Sequence, residues 1–342
     1  MEAQVSGFVL KFVSIIWEAF PFVVLGAIVA GILEEVVPQQ AISKIIPKSM
    51  ILAVGVGGLL GLVFPMCECG IVPVMRRLLR KGLPLGTCVA YMLAGPIVNV
   101  VVLASTYVAF AGHGIGPEVV LLRAGMGFVI AVITGTIVQR QFLAEGNKLL
   151  TPLAAPPADK THLALDVLDQ PQVHPSELRA GEKKPLFQRI SNIAETALHD
   201  FVDIMMFLVL GAFLAATAKL FLTPDAVADI SDGYPALAIL GMMLLAIVMC
   251  LCSEADAFVA ASFTTLDTSA KLAFLVLGPM FDLKLLLMFT RVFRKKVILT
   301  IFVSVVVQVF AYTLTLHYLA DDKLKSRAAV DPGESSLVEE VK

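Results

Sequence analysis

Apolar runs long enough to cross a lipid bilayer recur along this whole chain. A helix of about 20 apolar residues crosses a hydrocarbon core of about 30 Å. Of the 342 residues, 58% are hydrophobic and 16% are charged, which is too apolar for an ordinary soluble domain. The sequence therefore predicts an all-α polytopic membrane protein. The apolar segments cover residues 12–36, 49–66, 86–111, 118–138, 203–223, 237–252, 270–290 and 297–319.

Two Cys-x-Cys pairs indicate an internal repeat. The same interval separates Cys67 from Cys250 and Cys69 from Cys252. Motifs that recur at one spacing point to duplication and not to shared apolar composition. We therefore expect two pseudo-symmetric membrane halves. Other matched positions are Gly95-Pro96 with Gly278-Pro279, Asn99 with Asp282 and, at a slightly longer interval, Glu18 with Asp203.

The positions of lysine and arginine indicate how the halves are related. One basic cluster, residues 76–81, follows the third segment of the first half, and another, residues 291–296, follows the fourth segment of the second. Such clusters stay in the cytoplasm. With five crossing segments in each half, the halves are inverted and both clusters are cytoplasmic. With four, the halves are parallel and the second cluster lies outside. The inverted arrangement fits better, and the two arrangements span about 8 to 10 membrane segments.

The chain divides into four predicted parts. Residues 1–139 form the first membrane repeat and residues 199–319 form the second. Residues 140–198 are rich in proline and polar side chains, as is typical of a linker, and we expect this linker to be cytoplasmic. Helical spacing at its end predicts an interfacial helix; the alternative is a helical extension with no role beyond anchoring. The charged tail, residues 320–342, is expected to be disordered.

Two short segments, residues 67–82 and 252–267, follow the cysteine pairs. Each is too short or too polar to cross comfortably and contains residues that interrupt a helix. We interpret them as broken or re-entrant helices, which are tolerated at membrane depth where protein or a watery cavity satisfies the backbone.

The cysteine pairs are candidate ligands for a soft cation such as Cu(I), Zn(II) or trivalent arsenic. The candidate metal ligands are Cys67, Cys69, Cys250 and Cys252, and Glu68 lies between the first two. The alternative is that each cysteine packs as a small apolar residue. Two matched pairs beside helix breaks favour a substrate site.

Prolines inside apolar segments predict further breaks at matched places. Proline removes a backbone donor and crowds the preceding turn, and corresponding interruptions in two halves mark the binding site of secondary transporters. The alternative is a packing kink. The added candidates for substrate binding are Gly95, Pro96, Asn99, Gly278, Pro279 and Asp282.

Acidic residues inside membrane segments are candidates for proton coupling, because a carboxyl group at membrane depth is costly unless it has a role. Glu254 and Asp256 lie beside the second cysteine pair, and Glu18 and Asp203 occupy matching places in the first span of each half. For Glu18 and Asp203 the alternative is a position in the membrane interface, where an acid costs little.

Several classes of function lack support in the sequence. There is no basic stripe or nucleic-acid module, and no P-loop, dinucleotide fingerprint or His-Glu-x-x-His motif. We therefore expect no nucleic-acid partner, no cofactor and no enzymatic activity. Reduced thiols are expected, because neighbouring Cys-x-Cys residues are poorly placed to bridge each other.

The motifs resemble those of a known family. Cys67-Glu68-Cys69-Gly70-Ile71-Val72-Pro73 and the following Arg-Arg-Leu-Leu-Arg-Lys-Gly-x-Pro, with Ala94-Gly95-Pro96 and Cys252-Ser253-Glu254-Ala255-Asp256-Ala257-Phe258, resemble the predicted permease family that includes YraQ, YcgR-type proteins and the arsenical permease ArsP. The resemblance implies secondary transport across the bacterial inner membrane, and its arsenical branch exports trivalent organoarsenicals.

This resemblance leads to two functional expectations. The first is export of a soft metal, metalloid or thiol-reactive small solute, coupled to protons. The second is a non-transporting membrane subunit that scaffolds or senses with a partner. Many members carry Cys-Ser-Cys, whereas Cys67-Glu68-Cys69 is similar to the YcgR branch, which suggests a smaller membrane protein as partner; a homo-oligomer is also compatible.

Overall fold

The computed structural model describes residues 2–36, 47, 49–63, 66–151, 186–221, 235–263 and 266–330, and these residues are all helical or form short connections. A helix satisfies its own backbone groups, which a lipid environment requires. The helices are α1 (Glu2–Val36), α2 (Met50–Val63), α3 (Glu68–Arg80), α4 (Leu85–Ala94), α5 (Val100–Ala111), α6 (Gly116–Glu145), α7 (Leu186–Phe221), α8 (Pro235–Met249), α9 (Asp256–Ser262), α10 (Thr268–Met280), α11 (Leu283–Phe289) and α12 (Lys295–Val330).

Five stretches among the described residues are long and apolar enough to cross a membrane. Shorter apolar helices, α2, α4, α5 and α8, lie between them in the chain. The predicted all-helical membrane class is therefore confirmed. The five stretches are Ser6–Leu33, Gly116–Glu145, Ile190–Leu214, Thr268–Phe289 and Lys295–Leu319.

Helices α4 and α10 form the centre of the bundle. Every residue of α4 is buried, and the Thr268–Phe289 stretch is mostly buried, whereas the other four stretches are mostly exposed. Helix α4 packs against α2, α6 and α10, and α10 packs against α8 and α12. The outer helices expose apolar side chains, such as Trp17 and Leu121, as a surface covered by lipid does.

Two apolar runs expected to cross as single segments are each divided into two helices. The run at 86–111 separates into α4 and α5 at Gly95-Pro96, and the run at 270–290 separates into α10 and α11 just after Pro279. Both breaks occur where proline was expected to open the helix. Polar side chains cap the new N-termini: Asn99 Oδ1 accepts from Val101 N–H at 3.0 Å and Asp282 Oδ1 from Leu285 N–H at 2.6 Å.

The segments after the cysteine pairs are short helices enclosed by their neighbours. Nearly all of α3 is buried, and α9 packs on α5 and α10. Helix α8 ends just before Cys250, whose φ of 47° is left-handed and costly for a residue with a Cβ. The backbone between α8 and α9 is therefore held in an irregular form beside the second cysteine pair.

Two helices reach into the expected linker and tail. Helix α7 runs without interruption from Leu186 to Phe221, so residues 186–198 are helical and continuous with the crossing helix that follows. Helix α12 continues to Val330, into the tail expected to be disordered, because the first glycine and proline of the tail are Pro332 and Gly333. The proline-rich residues 152–185 and the tail from 331 lie outside the described residues.

Gly135→Ala in α6 should loosen the contact between α6 and α4. A Cβ at this position would lie 2.6 Å from the Gly86 carbonyl oxygen and 2.9 Å from Val54 Cγ1, whereas a Cβ at Gly125 in the same helix meets nothing within 4 Å. Overpacking costs about 1–3 kcal/mol, so Gly135→Ala should lower the melting temperature in detergent and Gly125→Ala should not. Equal melting of the two variants would contradict this packing.

Candidate functional site

The four paired cysteines meet at one cleft, which we call the thiol cleft. Cys67 Sγ, a Glu68 carboxylate oxygen and Cys252 Sγ all lie within 4.8 Å of one another. Cys88, the fifth cysteine, is buried elsewhere, and its thiol donates to the Leu83 carbonyl. The thiol cleft is lined by Ile15, Glu18, Ala19, Cys67, Glu68, Cys69, Cys250, Cys252 and Lys284.

Irregular backbone on both sides positions these ligands. Cys67 is the N-cap of α3, in an extended conformation, and Glu68 is the first residue of that helix. Cys252 lies in the connection between α8 and α9. Residues at a helix end or in a connection can direct their side chains and backbone groups into a cavity. The start of α3 and the connection between α8 and α9 therefore bring two thiols and a carboxylate together.

A buried ion-pair network adjoins the thiols. Lys284 Nζ lies 2.8 Å from Glu68 Oε1 and 3.6 Å from Asp282 Oδ2, and the Ser253 hydroxyl donates to Glu68 Oε2 at 3.4 Å. The side chains of Lys284, Glu68 and Asp282 are all at least 97% buried. Two carboxylates therefore share one ammonium, and the group carries a net negative charge next to the thiols.

A second buried ion pair joins α6 to α9. Arg123, which is fully buried, donates to Asp256 Oδ2 at 2.8 Å and to the Ser253 carbonyl at 3.2 Å. Its other terminal nitrogen donates to Thr106 Oγ1 at 2.7 Å. Asp256, a candidate for proton coupling, is thus the partner of a buried arginine.

Sequence reasoning did not identify Lys284 or Arg123. Arg123 is the only basic residue of the apolar run 118–138, and Lys284 is one of two lysines, with Lys271, in the run 270–290. A charge at membrane depth marks a function or a buried partner, and this signal applies to bases as well as to acids. The candidates predicted from the sequence were acids, cysteines and the residues of the glycine-proline breaks, and they did not include a base inside a span.

The remaining acidic candidates lie in different surroundings. Glu254 accepts from the Cys252 thiol. Glu18 is exposed on α1, accepts from the Ser14 hydroxyl at 3.3 Å and lines the edge of the thiol cleft. Asp203 does not line the thiol cleft and binds arginines instead. Glu18 and Asp203, although matched in sequence, therefore occupy unlike sites.

Three arginines surround two aspartates on α7, forming what we call the arginine cluster: Arg76, Arg77, Arg291, Asp200 and Asp203. Arg77 Nη2 lies 2.9 Å from an Asp200 carboxylate oxygen, and Arg76 also pairs with Asp200. Arg76 and Arg291 both pair with Asp203, at 3.4 and 2.9 Å. The two basic runs noted in the sequence therefore meet at one end of the bundle.

Residues 149–151 of the predicted linker lie at the same end of the bundle as the arginine cluster. Leu150 forms a bridge with Phe293, and Arg294 N–H donates to the Leu149 carbonyl at 3.0 Å. Thr151 N–H donates to the Val292 carbonyl at 3.1 Å. Both basic runs and the start of the predicted linker are thus on one side of the molecule.

A second cleft lies at the arginine cluster, since Arg76, Asp203 and Arg291 line it. Helix α3 contributes residues to both clefts, and at a rise of about 1.5 Å per residue Arg76 lies about 12 Å along it from Glu68. Lys284 on α11 lines the thiol cleft, while Met288 on the same helix lines the second. The second cleft is lined by Val72, Pro73, Arg76, Asp203, Ile204, Phe207, Met288, Arg291 and Val292.

The glycine-proline breaks do not line the thiol cleft. A Cβ added at Gly95 would meet the Ile71 side chain, and a Cβ added at Gly278 would lie 3.8 Å from the Ala246 Cβ. Pro96, Pro279 and Asn99 are buried. Among the break residues, Asp282 approaches the site, through Lys284. The breaks therefore position α5 and α11 and do not themselves form the cleft.

Comparison with known proteins identifies the family. The profile of a family of predicted permeases matches residues 4–318. The chain belongs to this family. This result confirms the resemblance seen in the Cys-Glu-Cys motif, and with the apolar helices it indicates a multi-pass membrane protein that acts as a permease.

Three relatives can be compared with the chain. YcgR of Bacillus subtilis strain 168 is 37% identical over 317 residues, which cover 92% of this chain and 99% of that protein. A Streptococcus mutans protein, described as a proposed subunit of a two-component membrane permease complex, is 33% identical over 293 residues, covering 84% and 87%. YraQ of Escherichia coli K12 is 25% identical over 125 residues, covering 36% and 34%. No solved structure matches the chain.

Arg123→Met should destabilise the protein strongly. It leaves the Asp256 carboxylate buried without its cation, and breaking a buried pair on one side costs about 3–5 kcal/mol. We expect a lower melting temperature in detergent, partly restored by adding Asp256→Asn. Arg140→Met, at an exposed position of the same helix, is the control. Equal stability of the Arg123 and Arg140 variants would contradict the ion pair.

Proposed function

We propose that this permease exports a soft metal cation, a metalloid or another thiol-reactive small solute through the thiol cleft, as a secondary transporter of the bacterial inner membrane and not as an enzyme. The observation that carries the proposal is the triad of Cys67 Sγ, Glu68 carboxylate and Cys252 Sγ within 4.8 Å. Thiolates select soft cations, and a carboxylate adds negative charge. Membership of the family indicates that the chain is a permease, and the thiol and carboxylate ligands support a soft cation or thiol-reactive solute as its substrate.

The two clefts support a path along α3 and α11. Solute bound at Glu68 would next meet the apolar lining around Val72 and Met288, and then the arginine cluster. Ion pairs from α3, and from the turn after α11, to Asp203 on α7 would close that end. Opening requires α3 and α11 to separate from α7, as in the relative movement of two packed halves.

We further infer that the halves are inverted repeats with 8 to 10 membrane segments in total. Among the described residues, α1–α6 precede the central segment and α7–α12 follow it, and each set begins and ends with a long helix. Helices α1 and α7, α4 and α10, and α6 and α12 pack as pairs, as repeat-related helices do around an axis. The meeting of both basic runs at one end supports the inverted arrangement, with that end in the cytoplasm.

Proton coupling is assigned to Glu18 and Glu254. Each borders the thiols and accepts a hydrogen bond from a neutral group, Ser14 or Cys252. Asp203 and Asp256, by contrast, are held by arginines. A carboxyl group that is bonded to a neutral group and not to an arginine is the better proton carrier.

A second candidate function is a subunit of a two-component permease. The Streptococcus mutans relative carries that description. Here Glu18 is exposed on α1, next to Trp17, which is 79% exposed, and a carboxylate facing lipid is costly. A smaller membrane protein covering this face would shield Glu18 and complete the edge of the thiol cleft.

The test is transport by vesicles containing the purified chain. Zn²⁺, Cu(I) and a trivalent organoarsenical are offered to the wild type, to the double variant Cys67→Ser/Cys252→Ser and to Cys88→Ser. Loss of both soft ligands should lower the rate of movement by about tenfold or more, while Cys88→Ser, whose thiol lies outside the cleft, should match the wild type.

The outcomes separate the two candidate functions. Equal rates for the double variant and the Cys88 control would reject the thiol cleft as the substrate site. Binding without movement, followed by movement when an inner-membrane extract is reconstituted with the chain, would favour the two-component subunit. Membrane abundance of each variant is measured in parallel, so that failure to insert is not mistaken for lost transport.

A further inference from the structure

Lys284 is a buried cation that lies where a substrate cation would bind. Its ammonium is 2.8 Å from Glu68 Oε1, and Glu68 contributes an oxygen to the Cys67 and Cys252 ligand triad. Lys284 also lines the thiol cleft. The carboxylate that would add charge to a metal site is thus already paired with a positive charge from this chain.

A second carboxylate gives the ammonium another partner. Asp282 Oδ2 lies 3.6 Å from Lys284 Nζ and has no hydrogen-bond partner among the described residues. Asp282 is fixed in place because its other oxygen caps α11 through Leu285 N–H. A lysine side chain is flexible and carries a compact charge, so its ammonium can move to Asp282 when an incoming cation takes its place beside Glu68, and both buried carboxylates then keep a positive partner.

We propose that Lys284 is a tethered competitor for the substrate cation, displaced from Glu68 to Asp282 when the cation binds to Cys67, Glu68 and Cys252. The inference rests on the proposed soft-cation site. The displacement keeps affinity moderate, because every bound cation must break the Lys284–Glu68 pair. It also favours release of the cation, because the Lys284 ammonium can then pair with Glu68 again. Transporters need such a balance, since a site that binds too tightly cannot discharge its solute.

A purely structural role makes the opposite prediction for affinity. If Lys284 only neutralised Glu68 to stabilise the bundle, removing its charge would disorder the cleft and weaken cation binding. If Lys284 competes, the same change removes a repulsive charge close to the bound cation and tightens binding. Damage to the fold does not produce a gain in affinity, so the sign of the change separates the two roles.

The test measures Cd²⁺ binding to the full-length protein in detergent, by calorimetry and by the ultraviolet charge-transfer absorption of Cd²⁺–thiolate bonds. Lys284→Met should bind Cd²⁺ about tenfold more tightly or better than the wild type and release it more slowly, since like charges a few ångströms apart repel strongly in a buried site. Lys284→Arg, which keeps the charge, should show no gain. Lys271→Met, at another buried lysine on α10, should leave the affinity unchanged.

Each outcome decides the proposal. Tighter binding by Lys284→Met alone supports it, whereas equal or weaker binding by Lys284→Met overturns it and leaves the wild-type soft-cation site intact. Absence of the thiolate absorption in both wild type and Lys284→Met rejects the proposed substrate class as well. If Lys284→Met is obtained in low yield, the increase in melting temperature on adding Cd²⁺ gives the same comparison, because a ligand stabilises the form that binds it more tightly.

Discussion

The hydrocarbon interior of a bilayer offers no water to an unpaired backbone group or a bare charge, and the architecture of this protein follows from that constraint. Each helix break at Gly95-Pro96 and Pro279 exposes backbone that must be satisfied. The polar caps Asn99 and Asp282 do part of this work, and burial of α4 and α10 within the bundle does the rest. Irregular backbone therefore lies in the centre, where a substrate site can be formed without exposing it to lipid.

Charge is divided along α3 and α11 into two unlike regions. At the thiol cleft, Glu68 and Asp282 outnumber the single cation Lys284. At the other end, three arginines outnumber the two aspartates on α7. These charges would favour a cation at the thiol cleft and oppose one at the arginine cluster. On the proposed path, passage at the arginine cluster would therefore require the ion pairs on Asp203 to rearrange.

Helix breaks could be predicted well from the sequence, whereas the ion-pair partners of charged residues could not. Proline acts on its own helix, so the divisions after Gly95-Pro96 and Pro279 follow from covalent geometry. The matched spacing of the cysteine pairs pointed to one shared site, and Cys67 and Cys252 do lie close together. The different surroundings of Glu18 and Asp203 could not be predicted from the sequence, because other helices supply them. Arginines reach Asp203 from α3 and from the turn after α11, while Glu18 is exposed on α1. Arg123 and Lys284 have no matched counterparts, and their partners are far away in sequence.

Two of the buried ion pairs that join the first part of the chain to the second, Arg123–Asp256 and Lys284–Glu68, differ in the chemistry of their cations. Arg123 is held by Thr106, the Ser253 carbonyl and Asp256 at once, and a planar guanidinium with several bonds has no equivalent alternative position. Lys284 is a compact charge between two carboxylates, so its bond to Glu68 can be exchanged for one to Asp282. Ser253 touches both pairs, donating to Glu68 and accepting from Arg123. The Arg123–Asp256 pair therefore holds the backbone at Ser253 in place. In the proposed exchange, the Lys284–Glu68 pair can then rearrange while Ser253 and its neighbours stay fixed.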